Sequence, residues 1–543
     1  MATFYAARSE IITPLPWTTF ALPFSASKGA LYFTRPDNAD AKAGNINSAI
    51  ARTDGDFFMV LDADFVPQRN FLYRAMGLFE DPDVGIVQIP HSFYNADPMQ
   101  TNLGMRQVMP DDQRLFFGSI MMGRDGWDAA FCCGSNSITR RGAIEAVGGG
   151  LPTESITEDI LLTLTLLRKG YVTRYLNERL AIGLAPESLS AMYVQRARWA
   201  RGAIQTLYLR NGPFGPGLNP MQRILFFPSY WIVHPVMVLT TLLVPTICLW
   251  SRWSPLPAVP VSELVSYQLP ALFATLGTLR LLAPKSFFPL AATVHSALLA
   301  PRILLTVVST LIRPHGHVFK VTPKGRAADG RAIDRMMVFM PAALIVLTAL
   351  GFFANANFNT RFVMSVEQLP ILAIWAFVSM IVLSVVQAAA ISATGSNRAE
   401  RFRVDLSGTV GSKPSEALPV EIKWISMEAA RLSFPDSCGI GDSVDWLRLD
   451  LPGIGSVAAE VEMAHGRDVE VKLNIPPGKT RDALLRALFT EGLENATEPA
   501  SSLKISLAMM QRVFLRRRPA RQQGDQPGDQ VRRPPQWLVA ATA

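Results

Sequence analysis

The chain has 543 residues, 49% of them apolar and only 18% charged, with a formal net charge of +8. An average soluble domain has about 25% charged residues. The deficit excludes a disordered or fibrous chain and argues for soluble domains joined to membrane spans. Four cysteines exclude a disulfide scaffold, and their positions (Cys132 and Cys133 adjacent, Cys248 and Cys438 alone) show no metal-ligand spacing.

In chain order, residues 1–30 have no basic-then-apolar pattern of a leader. Residues 31–215 read as alternating strands and helices. The run 56–61 (DFFMVL) ends at Asp62 and Asp64, and 84–89 (VGIVQI) follows the turn signal Asp81-Pro82-Asp83. Between them, 70–79 has helical periodicity. Ser155 and Glu158 have capping-box spacing before an apolar run that stops at Lys169-Gly170. The pattern predicts an α/β domain with a largely parallel sheet and ligands at the carboxyl ends of its strands.

Four spans are expected, at 224–251, 264–279 with its flanking Arg280, 336–360 and 368–397. The stretch 286–301, broken by Pro289 and followed by Arg302 and Arg313, reads as helices lying on the membrane surface. Residues 285–335 hold eight basic side chains against Asp329 and Asp334, so this loop is expected to be cytoplasmic. The regions before 224 and after 397 then share that side.

Three places carry chemistry. Asp62-Ala63-Asp64 follows the first apolar run, and alternation puts both carboxylates on one side. Such a pair suits Mg²⁺ or Mn²⁺ held with a diphosphate, or is a polar strand end. Thr157-Glu158-Asp159 opens a helix, where acids favour the dipole; a carboxylate fixed in a cleft there also suits a general base. Gln195, Arg198 and Trp199 stand at i, i+3 and i+4 on one helix face. Amide, guanidinium and indole together suit a diphosphate and a sugar ring, or an ordinary helix at a membrane surface.

In this order, D-x-D, TED and Q-x-x-R-W resemble the processive membrane glycosyltransferases of family 2: cellulose, chitin and hyaluronan synthases. Lys42-Ala43-Gly44-Asn45 looks like that family's K-A-G-x-x-N segment, and Phe131-Cys132-Cys133-Gly134-Ser135 is similar to its F-x-C-G-S acceptor segment. Phe319-Lys320-Val321-Thr322-Pro323-Lys324 looks like the F-x-V-T-x-K gating loop of bacterial cellulose synthases. The resemblance covers about 31–395.

It implies a nucleotide-sugar transferase fold and an inverting enzyme that adds glucose from UDP-glucose to a growing β-1,4-glucan. Curdlan and mixed-linkage glucan synthases resemble cellulose synthases in the same motifs. By resemblance, Asp62 and Asp64 would hold Mg²⁺ on the donor, and Asp159, in its Thr157-Glu158-Asp159 setting, would be the base. Lys42, Gln195 and Arg198 would bind the nucleotide sugar and its diphosphate. Trp199, Phe131, Cys133 and Gly134 would meet the acceptor. Phe319, Val321, Thr322 and Lys324 would close over the nucleotide. An inner-membrane site, a periplasmic accessory subunit and no nucleic-acid partner are also implied. A transporter has no need for these three motifs in one domain.

The ends depart from the family. No D-D-G segment precedes Lys42, and residues 1–29 do not resemble the family, so the nucleotide-binding half is expected to be incomplete and the chain truncated, with an inactive member of the family as an alternative reading. Residues 398–500 resemble a worn PilZ barrel, the cyclic-di-GMP-binding domain of bacterial cellulose synthases. Arg398, Arg401 and Arg403 lack its arginine spacing, and Trp424 and Ala429 replace an acid or amide and a glycine. A barrel that only packs, without cyclic-di-GMP, is the expectation. A basic tail, 501–543, is expected to be disordered in its Arg-, Gln-, Pro- and Gly-rich part.

Overall fold

The computed structural model describes Tyr5–Ala6 and, with gaps, residues 29–514. Residues 1–4, 7–28, 38, 107, 254, 256–259, 317–332, 364, 366, 392–399, 412–416, 436–445, 493–499 and 515–543 lie outside the described residues.

A four-stranded sheet runs in the order β1 (Phe57–Val60), β3 (Ser137–Arg140), β2 (Val84–Gln88), β4 (Val172–Tyr175). Only β2 and β4 pair in parallel; β3 runs antiparallel to both β1 and β2. This corrects the expected largely parallel sheet. The strand inserted in reverse is four residues long and carries two hydroxyls (SITR), too short and too polar to announce itself by periodicity. All five residues of β2 are buried. Its Ile86 packs with α1 (Ala41–Ile50) and α2 (Glu158–Leu167), while Val87 packs with Phe71, Ala75 and Phe79 on the other face. Alternation along β2 thus builds a helix–sheet–helix sandwich.

Helix α3 (Leu189–Gln205) starts at Ser188, whose Oγ accepts from the Ala191 N–H. Beyond it, among the described residues, four helices are long and apolar enough to cross a membrane: α4 (Ser229–Trp250), α6 (Pro289–Ile312), α7 (Arg335–Asn355) and α8 (Gln368–Ala389). The number agrees with the sequence reading and the membership does not. Pro289 sits in the first turn of α6, where its missing N–H costs no bond, so it begins the helix rather than breaking it. Helix α5 (Val261–Leu282) is not among the four, because Ser262, Glu263, Ser266, Gln268, Thr275, Thr278 and Arg280 dilute its apolar surface. The bundle is not separate from the first domain. Leu189, Met192 and Ile204 of α3 share one core with Val294, Leu298 and Val307 of α6 and Val385 and Val386 of α8.

The C-terminal region is a closed six-stranded antiparallel barrel: β5 (Phe402–Gly411), β6 (Leu418–Ile425), β7 (Ala429–Ser433), β10 (Asp468–Asn474), β9 (Gly455–His465) and β8 (Trp446–Leu451), closing on β5. Helix α9 (Lys479–Thr490) packs Leu484 and Leu488 into its core. Tyr94 of the first domain meets Phe402 and Phe489 at ring distances of 6.2 and 5.2 Å, and this aromatic junction seats the barrel. Trp424 is buried, with the Arg401 guanidinium 3.9 Å above its ring. Arg401 and Arg403 face one cavity of about 420 Å³, as alternation requires, while Arg398 lies outside the described residues.

Helix α10 (Ser502–Phe514) turns back from the barrel and buries Ile505 and Met509 completely in the core of the bundle. Arg512 donates to the Gly104 carbonyl at 3.0 Å. Replacing a buried Met by Ala typically costs about 2–5 kcal/mol. Met509→Ala should therefore raise the rate of protease cleavage at Arg512 by at least about thirtyfold. Limited trypsin digestion of the detergent-solubilised chain measures this, and an unchanged rate would show that α10 is held elsewhere.

Candidate active site

Four sequence segments that are far apart in the chain meet at one side chain. Lys42, in the first turn of α1, donates to Asp62 Oδ1 and to the Gly134 carbonyl, both at 2.5 Å. Burial alone would lower the lysine's pKa. The carboxylates of Asp62, Glu158 and Asp159 more than offset this and hold it above its ordinary value. The ammonium is therefore charged throughout the physiological range.

Asp62 and Asp64 do not belong to a strand. β1 ends at Val60, and a turn closed by the Phe65 N–H donating to the Asp62 carbonyl (2.9 Å) carries both residues. The alternation argument for their shared side therefore does not apply; turn geometry places them. The Asp62 N–H also donates to Ser135 Oγ at 2.8 Å. Among the described residues no three His, Cys, Asp or Glu side chains gather as a metal cage. Any cation here would take two carboxylates from the chain and its other oxygens from a ligand, the usual manner of Mg²⁺.

The loop 131–136 forms the cleft's other wall. Gly134 adopts φ +79°, and a Cβ there would lie 3.1 Å from Asp159 Oδ2. Glycine thus permits both the backbone turn and the approach of the carboxylate. Gln88, wholly buried at the end of β2, holds this loop. Its Oε1 accepts from the Cys133 N–H and its Nε2 donates to the Ser135 carbonyl, each at 2.8 Å. Sequence reasoning missed this residue, although an amide inside the apolar run VGIVQI was its signal. Burial pushes the Cys132 thiol up to about 12 and Cys133 well above its ordinary value. Neither is a thiolate, so Cys133 contributes backbone and shape rather than nucleophilic chemistry. Phe131 lies against Phe226, with Arg124 over both rings.

Thr157 precedes α2 without capping it by its side chain, so the expected capping box is absent. Ser155 Oγ instead meets Thr157 Oγ1 at 3.2 Å. Asp159 is half-buried, and its carboxyl is pushed up to about 7, first by burial and next by the charge of Glu158; Lys42 and Arg198 pull the other way. Helix α3 lies close against this segment. A Cβ on Gly202 would sit 2.3 Å from the Thr157 side chain, and Gln205 Oε1 accepts from the Ile156 N–H at 3.1 Å. That packing brings Arg198 of α3 close enough for its charge to act on Asp159, and Gln195 and Trp199 stand on the same helix face. Gln195 is buried, and among the described residues its Oε1 has no partner, which leaves an acceptor waiting for a donor. The segment Phe319, Val321, Thr322 and Lys324 lies outside the described residues.

Residues 57–304 match the model of glycosyl transferase family group 2. The chain carries a family 2 glycosyltransferase domain. It is 35% identical over 370 residues to the cellulose synthase 1 catalytic subunit (UDP-forming) of Komagataeibacter xylinus, covering 67% of this chain and 49% of that protein. It is 44% identical over 204 residues to the cellulose synthase catalytic subunit (UDP-forming) of Xanthomonas axonopodis pv. citri, covering 37% of this chain and 28% of that protein. The chain thus spans about half or less of these relatives' length. A mannosyltransferase from Pyrobaculum calidifontis, solved with GDP-Man and Mn²⁺, aligns with 55% of this chain and 75% of its own at 18% identity and a TM-score of 0.36. The glycosyltransferase domain, the membrane helices and the barrel agree with the fold expected from the sequence.

Two outcomes follow. The Asp159 carboxyl should titrate near pH 7, and Glu158→Gln, by removing the neighbouring like charge, should move it to lower pH. Infrared difference titration with Asp159→Asn as the blank reads both; a band already ionised at pH 5 would refute the assignment. Gly202→Ala should push α3 off the TED segment and reduce thermal stability by several degrees, for a cost of about 1–3 kcal/mol from overpacking. Gly77→Ala, in open space, serves as the neutral control for scanning calorimetry.

Proposed function

We propose that this chain is the catalytic part of a membrane glucan synthase that transfers glucose from UDP-glucose to the end of a β-1,4-glucan. The observation that carries the reading is the convergence of the Lys42, Asp62-Ala63-Asp64, Gly134 and Asp159 segments on one charged cleft. Identity to proteins named cellulose synthase supports the choice of donor and product.

Asp159, poised near neutrality, takes the proton of the acceptor hydroxyl. The hydroxyl oxygen attacks the anomeric carbon in line, the bond to the diphosphate breaks, and the configuration inverts. Lys42 supplies positive charge beside Asp62, where the diphosphate is bound. Arg198 and the amide Nε2 of Gln195 hold phosphate oxygens, while the orphaned Gln195 Oε1 suits a sugar hydroxyl. Trp199 stacks on the acceptor's last sugar, and Phe131, Cys133 and Gly134 shape its path. Asp62 and Asp64 fit a hard divalent cation, Mg²⁺ or Mn²⁺, bound with the donor. That cation would neutralise charge on the leaving diphosphate.

The basic segment 313–331 between α6 and α7 favours a cytoplasmic side for it, and with it for the catalytic domain and barrel. The glucan then leaves through the inner membrane toward a periplasmic accessory subunit. Cyclic-di-GMP is not part of this proposal, because the Trp424 ring is buried beneath Arg401.

Membranes carrying the chain are to be fed UDP-[¹⁴C]glucose, and the polymer digested with linkage-specific glucanases. A product cut only by a β-1,4-glucanase is expected. Asp159→Asn should lower its formation at least about a hundredfold while leaving UDP binding nearly intact. A β-1,3-linked product would replace the acceptor linkage, and unaffected Asp159→Asn turnover would remove Asp159 as the base.

A further inference from the structure

Arg196 is the second residue of the Gln195-Arg196-Ala197-Arg198-Trp199 segment. Arg196 is 7% exposed, although arginines on a helix facing a cleft usually reach water. Its guanidinium lies 4.3 Å from the centre of the Trp199 ring, one helical turn further on. Its Nη2 donates to Asp112 Oδ2. The Asp112 side chain is only 7% exposed. Burial alone would raise its pKa, but Arg196 and His295 more than offset this and hold the carboxyl below its ordinary value. His295 Nε2, from α6, reaches the same Asp112 oxygen at 3.5 Å. The Asp112 N–H donates to Asp97 Oδ2 at 3.3 Å, and Asp97 caps the short helix Pro98–Asn102.

Every member of this chain of contacts is fixed by the next. The loop around Asp97 and α6 hold Asp112, Asp112 holds the guanidinium, and the guanidinium covers one face of the Trp199 indole. A flat, fully charged guanidinium packed on an indole is a favourable and orienting contact. It occupies one face of the indole, so that a sugar ring would stack on the other, and it limits the ring's rotation about χ1 and χ2. We propose that Arg196, held by Asp112, is a positioning residue that sets the Trp199 ring for stacking on the acceptor sugar. The inference rests on the reading of Trp199 as the acceptor platform given under Proposed function.

The test reads a ratio that does not depend on how much folded protein a variant yields. When the acceptor hydroxyl is out of place, water takes its position. Its oxygen bonds to the anomeric carbon, its proton passes to Asp159, and the UDP that leaves is accompanied by free glucose instead of polymer. Full-length chain in membranes is fed UDP-[¹⁴C]glucose, and free glucose is measured against polymer-bound glucose.

Trp199→Ala should raise that ratio about tenfold. Arg196→Met should raise it about as much, and adding Arg196→Met to Trp199→Ala should change it no further. Asp112→Asn should give a smaller rise, and Arg196→Lys, which keeps the charge and loses the plane, should resemble Arg196→Met. A normal ratio in Arg196→Met, or an independent further rise in the double variant, would overturn the positioning role. A normal ratio in Trp199→Ala would remove the acceptor platform and this proposal with it. Absence of polymer from the unaltered chain would instead sink the proposed function itself, and the present inference with it.

Discussion

One ammonium group carries the architecture of the cleft. Asp62, Glu158 and Asp159 lie close enough to act together on Lys42. Without a cation among them, three carboxylates in a partly desolvated cleft would repel one another or take up protons. The lysine's other bond, to the Gly134 carbonyl, draws the loop 131–136 into the same arrangement. The turn after β1, the helix start at α2 and the glycine loop therefore share one electrostatic anchor, although as many as 117 positions separate Lys42 from Asp159 in the sequence.

Around that anchor, rigidity comes from buried side-chain hydrogen bonds rather than from regular structure. Gln88 reaches from the last position of a fully buried strand to both sides of the Cys133–Ser135 turn. Thr163 Oγ1 accepts from the Cys132 N–H at 2.9 Å and ties the same loop to α2. A cleft assembled from loops is in this way given the precision of the sheet beneath it. The close contact at Gly202 then passes that precision to α3, and α3 shares its other side with the bundle.

Much of the site could be read from the sequence, because chemistry constrains residue types at short spacing. Lys42, Asp62, Asp159, Gln195 and Trp199 are all legible from residue type and spacing, and the first three of them share direct contacts or fields. What eluded the sequence was whatever depends on partners far away along the chain. The reverse insertion of Ser137–Arg140 between two strands leaves no periodic mark. Pro289 reads as a breaker unless its position in a first turn is known. Gln88 and Asp112 look like incidental polar residues until their contacts are seen, since burial of an amide or a carboxylate is a tertiary fact.

The return of α10 to the bundle bears on the order in which the molecule is assembled. Ile505 and Met509 fill space among helices whose last residues were made more than a hundred positions earlier. During synthesis from the N-terminus, the helices α4 to α8 are complete while that space still lacks its final two side chains. The barrel between them has to emerge, close and dock before α10 can reach its place. Final consolidation of the bundle core therefore waits on the folding of the barrel that precedes α10 in the chain. A defect in the barrel's strands would then surface first as a loosened bundle.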